Sequence, residues 1–355
     1  MPKLFCFVFY FYGVLILILL CHANRTNRRF SCHQNKSKLY CFPDIWFIGA
    51  SKCGTTTMAY YFSKNPAMIP LQGSGAGESD LFDSKKGKVK SILDIERGFE
   101  LQHFQNKSVP SVFYYRPDNL YYPEAPKRIS KVLGDNAKRV KFLVMLREPV
   151  SRTFSSWSFK HSGKLDHRSW EQAMAEDIKT FGAWNNCLKR AEVKGIKSAY
   201  EIYCHPNKFN KRPTKQHHLN KSVYFYQFLH WFSYFPSENF HVIFMEDLIQ
   251  DIKRVHDETL KFFTVDKLEK HISTKEITKL FHKVKNTTKK KDETMLTKRM
   301  KERLEALFLQ YNRQLANLFG LKYSKDLNSW QTTKVSSSLS PSSNITWLTS
   351  GLPHS

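Results

Sequence analysis

The segment Gly49-Ala50-Ser51-Lys52-Cys53-Gly54-Thr55-Thr56-Thr57 constrains this chain more than any other. Before it, Ile45-Trp46-Phe47-Ile48 is a short, wholly apolar run rich in strand-forming residues. Such a run suits a strand buried on both faces, as in a parallel sheet. After it, Met58 to Lys64 reads as a helix that stops before Pro66. Strand, tight loop and helix in this order open an α/β nucleotide-binding unit. The loop itself is an anion cradle. Its glycines let backbone amides approach a phosphate, and the helix N-terminus presents unpaired N–H groups and a partial positive charge. Thr55 and Thr56 add hydroxyls, and Lys52 adds a full charge. A Walker A loop is excluded by residue order, because its Lys directly follows Gly whereas Lys52 precedes Gly54. No Walker A sequence occurs in the chain, which disfavours a P-loop kinase or ATPase.

The alternation continues downstream. Lys141 to Leu146 is a second buried strand, followed by a helix from Val150 to about Lys160 and another from Ser169 to Ile178. Val223 to Phe235 is an aromatic helix ended by Pro236, and His241 to Met245 is a third buried strand closed by Glu246 and Asp247, which read as a strand-end cap. Arg254 to Phe263 is helical, and Met300 to Phe319 is helical with Gly320 placed to cap it. The expected fold is a single α/β domain with a mainly parallel central sheet flanked by helices. The expected organisation is a targeting segment over 1–21, a stem or linker over 22–42, the folded domain over 43–325 and a Ser/Thr-rich disordered tail over 326–355.

Gly-X-X-Lys-X-Gly-Thr-Thr is the loop with which the sulfotransferase superfamily holds the 5′-phosphosulfate of 3′-phosphoadenosine-5′-phosphosulfate (PAPS). Gly49 to Thr56 resembles it at every fixed position. The other half of that family's donor site is an Arg after a buried strand and a Ser eight residues on, both on the 3′-phosphate. Leu146-Arg147-Glu148-Pro149-Val150-Ser151-Arg152-Thr153-Phe154-Ser155 resembles it, with Arg147 and Ser155 in place. The resemblance implies PAPS as co-substrate, contacted by Lys52, Cys53, Gly54, Thr55, Thr56, Arg147 and Ser155. It also implies a PAPS-binding strand–loop–helix, and Lys52 as the group acting on the sulfate oxygens.

A general base must accept the proton of the attacking hydroxyl. Glu78-Ser79-Asp80-Leu81-Phe82-Asp83 resembles the Glu-X-His-Phe-Phe-Asp segment of heparan sulfate 3-O-sulfotransferases and related glycosaminoglycan sulfotransferases, which makes Glu78 the candidate. Asp80 stands where those enzymes have His; His103 and His161 are alternatives for the base. Arg116 to Ile129 resembles their Lys-Thr-Pro-Ala-Tyr-Phe region, with Tyr115 in place of a substrate-contacting Lys. Cys187, Cys204, the aromatic helix, Phe244 to Leu248, Glu293-Thr294 and Tyr311 to Leu315 are similar to Golgi enzymes of the N-acetylgalactosamine 4-sulfate 6-O-sulfotransferase type. The implied function is transfer of a sulfuryl group to a glycosaminoglycan hydroxyl. A tyrosine or glycolipid acceptor, and a non-catalytic polyanion-binding role, are the alternatives. No metal is needed, because Lys52 and the helix N-terminus supply the positive charge.

Charge and targeting fit such a partner. Lys and Arg number 56 against 31 Asp and Glu, a net charge of +25. That draws polyanions: nucleic acid, anionic membrane or acidic polysaccharide. Lys283, Lys285, Lys289, Lys290 and Lys291 form one dense basic stretch, a candidate lining for a polysaccharide groove. Leu4 to Cys21 is apolar and uncharged, long enough to span a bilayer or to form a long signal-peptide core ahead of Cys21-His22-Ala23. Either reading sends the rest into the secretory lumen, which disfavours nucleic acid as the partner. Lys3 before the run against Arg25, Arg28 and Arg29 after it argues against a type II anchor. The expected location is nonetheless the Golgi membrane as a single-pass type II protein, with secretion after cleavage as the alternative. Asn-X-Ser/Thr sequons at Asn24, Asn35, Asn106, Asn220, Asn286 and Asn344 accord with luminal exposure. In an oxidising lumen Cys187 and Cys204 are able to close a loop, as are Cys32 and Cys41. No Cys-X-X-Cys occurs, which disfavours a zinc ribbon or redox motif.

Overall fold

The computed structural model describes residues 33–35, 38–40, 43–63, 68–70, 82, 100–101, 111–191, 204, 218–263, 296–320, 322–324 and 329–331. Five of its strands pair in parallel: β1 (Ile45–Gly49), β2 (Met68–Pro70), β3 (Ser111–Tyr115), β4 (Lys141–Leu146) and β5 (Phe240–Phe244). They lie side by side in the order β2-β3-β1-β4-β5. The helices are α1 (Thr55–Ser63), α2 (Glu124–Leu133), α3 (Pro149–Ser162), α4 (Trp170–Ala191), α5 (Tyr224–Phe232), α6 (Met245–Gln250), α7 (Ile252–Phe262) and α8 (Lys298–Leu318). β1, β3 and β5 are buried along their whole length, as strands covered on both faces must be.

Aromatic side chains hold this sheet to its helices. Trp46 of β1 packs on Tyr114 of β3 and on Phe82, with ring centroids 4.8 and 5.5 Å away. Phe142 of β4 meets Phe235, Phe240 and Trp231 at 4.6, 4.7 and 5.4 Å. Each such ring contributes roughly 1.5–3 kcal/mol through its burial. The Trp231 indole N–H donates to the Leu120 carbonyl at 3.1 Å, so its polar end is satisfied inside the core. A second cluster, around Trp157, Trp170 and Trp184, joins α3 and α4 to α5 and α8.

Chain direction reverses at the centre of the sheet. From β1 the chain moves to β2 and β3 on one side, then returns to place β4 on the other side of β1. Such a switch opens a crevice at the carboxyl ends of the strands that flank it, where α/β sheets bind ligands. Here those ends are Gly49 of β1 and Leu146 of β4.

The three expected strands appear as β1, β4 and β5. β2 and β3 are additions, the first only three residues long and ending on Pro70. α4 runs to Ala191 rather than to 178, because Phe181, Trp184 and Leu188 extend the buried face begun by Ala173 and Met174. A hairpin of His33–Asn35 and Lys38–Tyr40 falls within the segment expected as a linker, and its second strand pairs with Glu100–Leu101. Lys322–Ser324 pairs with Ser329–Gln331 across the boundary expected at 325. No helix among the described residues is long and apolar enough to cross a membrane. The apolar run Leu4 to Cys21 lies outside the described residues, as do Cys32, Cys41, the Lys283–Lys291 stretch and most of the expected tail.

Cys187 and Cys204 are joined in a disulfide, and the Trp184 indole N–H donates to the Cys204 carbonyl at 3.0 Å. The bond closes a loop with a sequence separation of 17, a constraint on the unfolded chain of about 3 kcal/mol. Cys187→Ser with Cys204→Ser is expected to lower stability by that order in equilibrium denaturation. Reductant is expected to reproduce the loss in the wild type and to leave the double variant unchanged.

Candidate active site

The loop between β1 and α1 lies at the switch point and is shaped by three backbone requirements. Gly49 has no room for a side chain, since a Cβ there would lie 2.5 Å from Leu120 Cβ. Ala50 N–H donates to the Met145 carbonyl at 2.7 Å, which ties the loop to β4. Lys52 and Gly54 then take positive φ, at 73° and 80°. Glycine adopts that conformation freely; a lysine does so at a conformational cost. The turn closes with Cys53 N–H on the Ala50 carbonyl at 3.3 Å and with Thr57 and Met58 N–H on the Gly54 carbonyl at 3.1 and 3.2 Å. The amides of Lys52, Gly54, Thr55 and Thr56 make no backbone hydrogen bond among the described residues. They are the free donors a helix N-terminus offers to an anion.

Side chains around this turn divide into floor and mouth. Thr55 is buried and its hydroxyl accepts from Tyr115 Oη at 3.3 Å, whereas Thr56 is exposed with its hydroxyl 3.2 Å from the same phenol. Tyr115 itself is buried, so the position resembling a substrate-contacting Lys is a brace beneath α1. The Cys53 amide donates to the Ala50 carbonyl at 3.3 Å, and its thiol is buried 3.6 Å from Tyr224 Oη. Burial pushes that thiol up to about 11.

Lys52 is half-buried, its ammonium 3.7 Å from the centroid of the exposed Phe159 ring. Burial first, then the positive charges of Arg152, Arg147 and Lys160, pull its pKa down to about 8. Among the described residues no carboxylate is prominent in its field. A cluster of like charges at a helix N-terminus fits a multiply charged anion.

Arg147 follows β4 directly and is half-buried. Glu148 caps α3, accepting from Val150 N–H at 2.8 Å and Ser151 N–H at 2.7 Å, with Pro149 in the first helical turn. The Glu148 amide in turn donates to Glu246 Oε1 at 2.9 Å. Glu246, just past the end of β5, therefore holds the turn that follows β4. Burial raises its pKa, while backbone hydrogen bonds and the charge of Arg147 pull the other way. Ser155, two turns into α3, is half-buried, and neither its hydroxyl nor the Arg147 guanidinium is spent on a hydrogen bond among the described residues. Lys52 and Gly54 thus stand on the loop after β1 and Arg147 on the turn after β4, with Thr56 in the first turn of α1 and Ser155 in α3.

Residues 42–308 match the family model of the sulfotransferase domain. The chain belongs to the sulfotransferase domain family. Sulfuryl transfer is the chemistry this family's site serves, and its sulfate donor is PAPS. Among curated proteins, the membrane-associated sulfotransferase kil1 of Dictyostelium discoideum is 23% identical over 291 residues, which cover 67% of this chain and 59% of that one. The chain therefore spans little more than half the length of that sulfotransferase. Among solved structures, a sulfotransferase from Alicyclobacillus acidocaldarius superposes with a TM-score of 0.53 at 17% identity, covering 78% of this chain and 96% of its own. That likeness shows the sulfotransferase fold.

Several site residues had not been singled out from sequence. Arg152 is fully buried, its Nε donating to the Ser51 carbonyl at 3.1 Å and its Nη1 to the His218 carbonyl and Ser222 Oγ at 2.8 and 3.0 Å. Asp118 is paired with Lys221 at 2.9 Å, and the Ser51 side chain adds to the stabilisation of its anion. Burial opposes its ionisation, but Lys221 and Ser51 hold it well below the usual carboxylate range, which makes it a poor base. Arg152 lies inside the Arg147–Ser155 motif, so its place was legible; Asp118 carries no such signal. His161 stacks on Trp157 at 4.8 Å and pairs through Nδ1 with the Asp166 carbonyl at the end of α3. Of the sequons, Asn220 is buried in a short helical turn, so its amide is closed to a glycan, and Asn35 lies in the first short strand. Glu78, Asp80, His103, Asn24, Asn106, Asn286 and Asn344 lie outside the described residues.

Lys52 is protonated up to about 8 in the folded chain and up to 10.5 when unperturbed. Between those values the unfolded chain binds the extra proton, so stability rises with pH across that window. Lys52→Met is accordingly expected to raise the melting temperature at neutral pH while abolishing anion binding. In the wild type, calorimetric affinity for adenosine 3′,5′-bisphosphate is expected to fall as pH rises through about 8, where Lys52 loses its charge.

Proposed function

We propose that this protein transfers a sulfuryl group from PAPS to a hydroxyl of an acidic polysaccharide, of the chondroitin, dermatan or heparan sulfate kind. The observation that carries the reading is the gathering of Lys52, Arg147, Arg152 and Lys160 beside the free amides of α1, with no prominent carboxylate in the field of Lys52 among the described residues. When bound, the donor supplies the sulfuryl group and a phosphate leaving group. Lys52 and the amides of Gly54, Thr55 and Thr56 would hold the 5′-phosphosulfate, and Arg147 with Ser155 the 3′-phosphate. Charge grows on the leaving oxygen as the sulfur–oxygen bond breaks, and a preorganised ammonium and helix terminus stabilise it there. Glu78 is the base in this reading, taking the proton from the attacking sugar hydroxyl.

The net charge of +25 supports a polyanionic acceptor. The apolar run Leu4 to Cys21, and a curated relative whose name describes it as membrane-associated, support a Golgi membrane protein with a luminal catalytic domain.

The test is incubation of the full chain with radiolabelled PAPS and a panel of chondroitin, dermatan and heparan chains, followed by digestion to disaccharides. Label confined to one disaccharide is the expected result. Lys52→Ala and Arg147→Ala are each expected to lower kcat/KM by roughly 100-fold or more, the scale of lost electrostatic stabilisation. Glu78→Gln is expected to cost a similar roughly 100-fold in kcat, with donor affinity within about twofold of wild type. Full activity in that variant would remove Glu78 as the base. Donor binding without label on any glycan would turn the acceptor to protein tyrosine or glycolipid, and absence of donor binding would overturn the reading.

A further inference from the structure

Residues 218–224 touch the floor of this site at three places. The first is Arg152, whose guanidinium joins the His218 carbonyl and Ser222 Oγ to the Ser51 carbonyl. The second is Lys221, paired at 2.9 Å with Asp118, whose ionised carboxylate the Ser51 side chain favours. Ser51 is thus held through its carbonyl by a guanidinium that leads to this short segment. The third is Tyr224, fully buried, whose Oη donates to the Arg147 carbonyl at 2.9 Å and lies 3.6 Å from Cys53 Sγ. One phenol therefore bridges the loop after β1 and the turn after β4.

The segment is itself fixed from behind. His218 Nδ1 lies 2.9 Å from Ser156 Oγ and its Nε2 lies 3.1 Å from Asp166 Oδ2, while its amide donates to Asp177 Oδ2 at 3.0 Å. These partners sit on α3, on the turn after it and on α4. A segment anchored this way resists displacement, so its three contacts constrain the site rather than follow it.

We propose that residues 218–224 form an internal brace that fixes the separation of the two anion-holding loops, with Tyr224 as the positioning residue that joins them. The inference rests on the donor-site reading above and adds to it a reason for recognising both phosphate ends of one nucleotide together. A ligand with a single 5′-phosphate needs only the loop after β1. A ligand with 3′- and 5′-phosphates needs both loops at a set distance, and gains affinity from the brace.

Tyr224→Phe tests this, because it keeps the ring and removes a hydroxyl that spans the two loops. Calorimetry on the full chain compares adenosine 3′,5′-bisphosphate with adenosine 5′-phosphate. Wild type is expected to prefer the bisphosphate. The variant is expected to lose roughly five- to tenfold of that preference, the scale of one buried hydrogen bond, while its affinity for the monophosphate stays within about twofold. Thermal unfolding shows that the variant is folded when compared. An unchanged preference in a folded variant, or an equal loss for both nucleotides, overturns the brace and leaves the donor site standing. Failure of the wild type to bind either nucleotide overturns both.

Discussion

The repulsion among Lys52, Arg147, Arg152 and Lys160 is the constraint around which the site is arranged. Like charges this close are tolerated only where surrounding structure over-determines their positions. The parallel sheet supplies that support, because β1 and β4 are adjacent and each delivers its loop at the same edge. Arg152 adds to it by spending its guanidinium on two backbone carbonyls and a hydroxyl instead of on an acid. Its remaining nitrogen, Nη2, is buried without a partner among the described residues. The positive charge of Arg152 is therefore not paired with an acid among these contacts, and it adds to the field that lowers the Lys52 pKa.

How far the chain could be read from its residues follows from what each signal depends on. β1, β4 and β5 are continuous apolar runs ending in Gly, Arg or an acidic pair, and such runs declare themselves locally. β2 does not, since three residues ending in Pro70 become a strand only by lying beside β3. α4 continues past Ile178 and through Gly182 because the tryptophan at 184 and the leucine at 188 keep one face in the core.

The site divides in the same way. Lys52, Gly54, Arg147 and Ser155 belong to spaced motifs whose physics is local: a turn, a helix start, a residue after a strand. Cys53 sits inside one of those motifs but faces inward, and spacing carries no information about that. Asp118 and Tyr224 act through partners 103 and 77 positions away in sequence, contacts that only the folded sheet creates. Tyr115 shows the converse: a departure from a family pattern reads as a lost function until its ring is seen packed beneath α1.

The buried Cys53 thiol has a consequence for the chemical durability of the protein. Thiolate, not thiol, attacks disulfides, and a group that titrates near 11 is ionised in only about one molecule in ten thousand at neutral pH. Sealed from solvent as well, it stands outside thiol–disulfide exchange with the Cys187–Cys204 bridge. A buried, un-ionised thiol beside Lys52 would thus resist scrambling under oxidising conditions, which leaves the turn between β1 and α1 chemically unaltered.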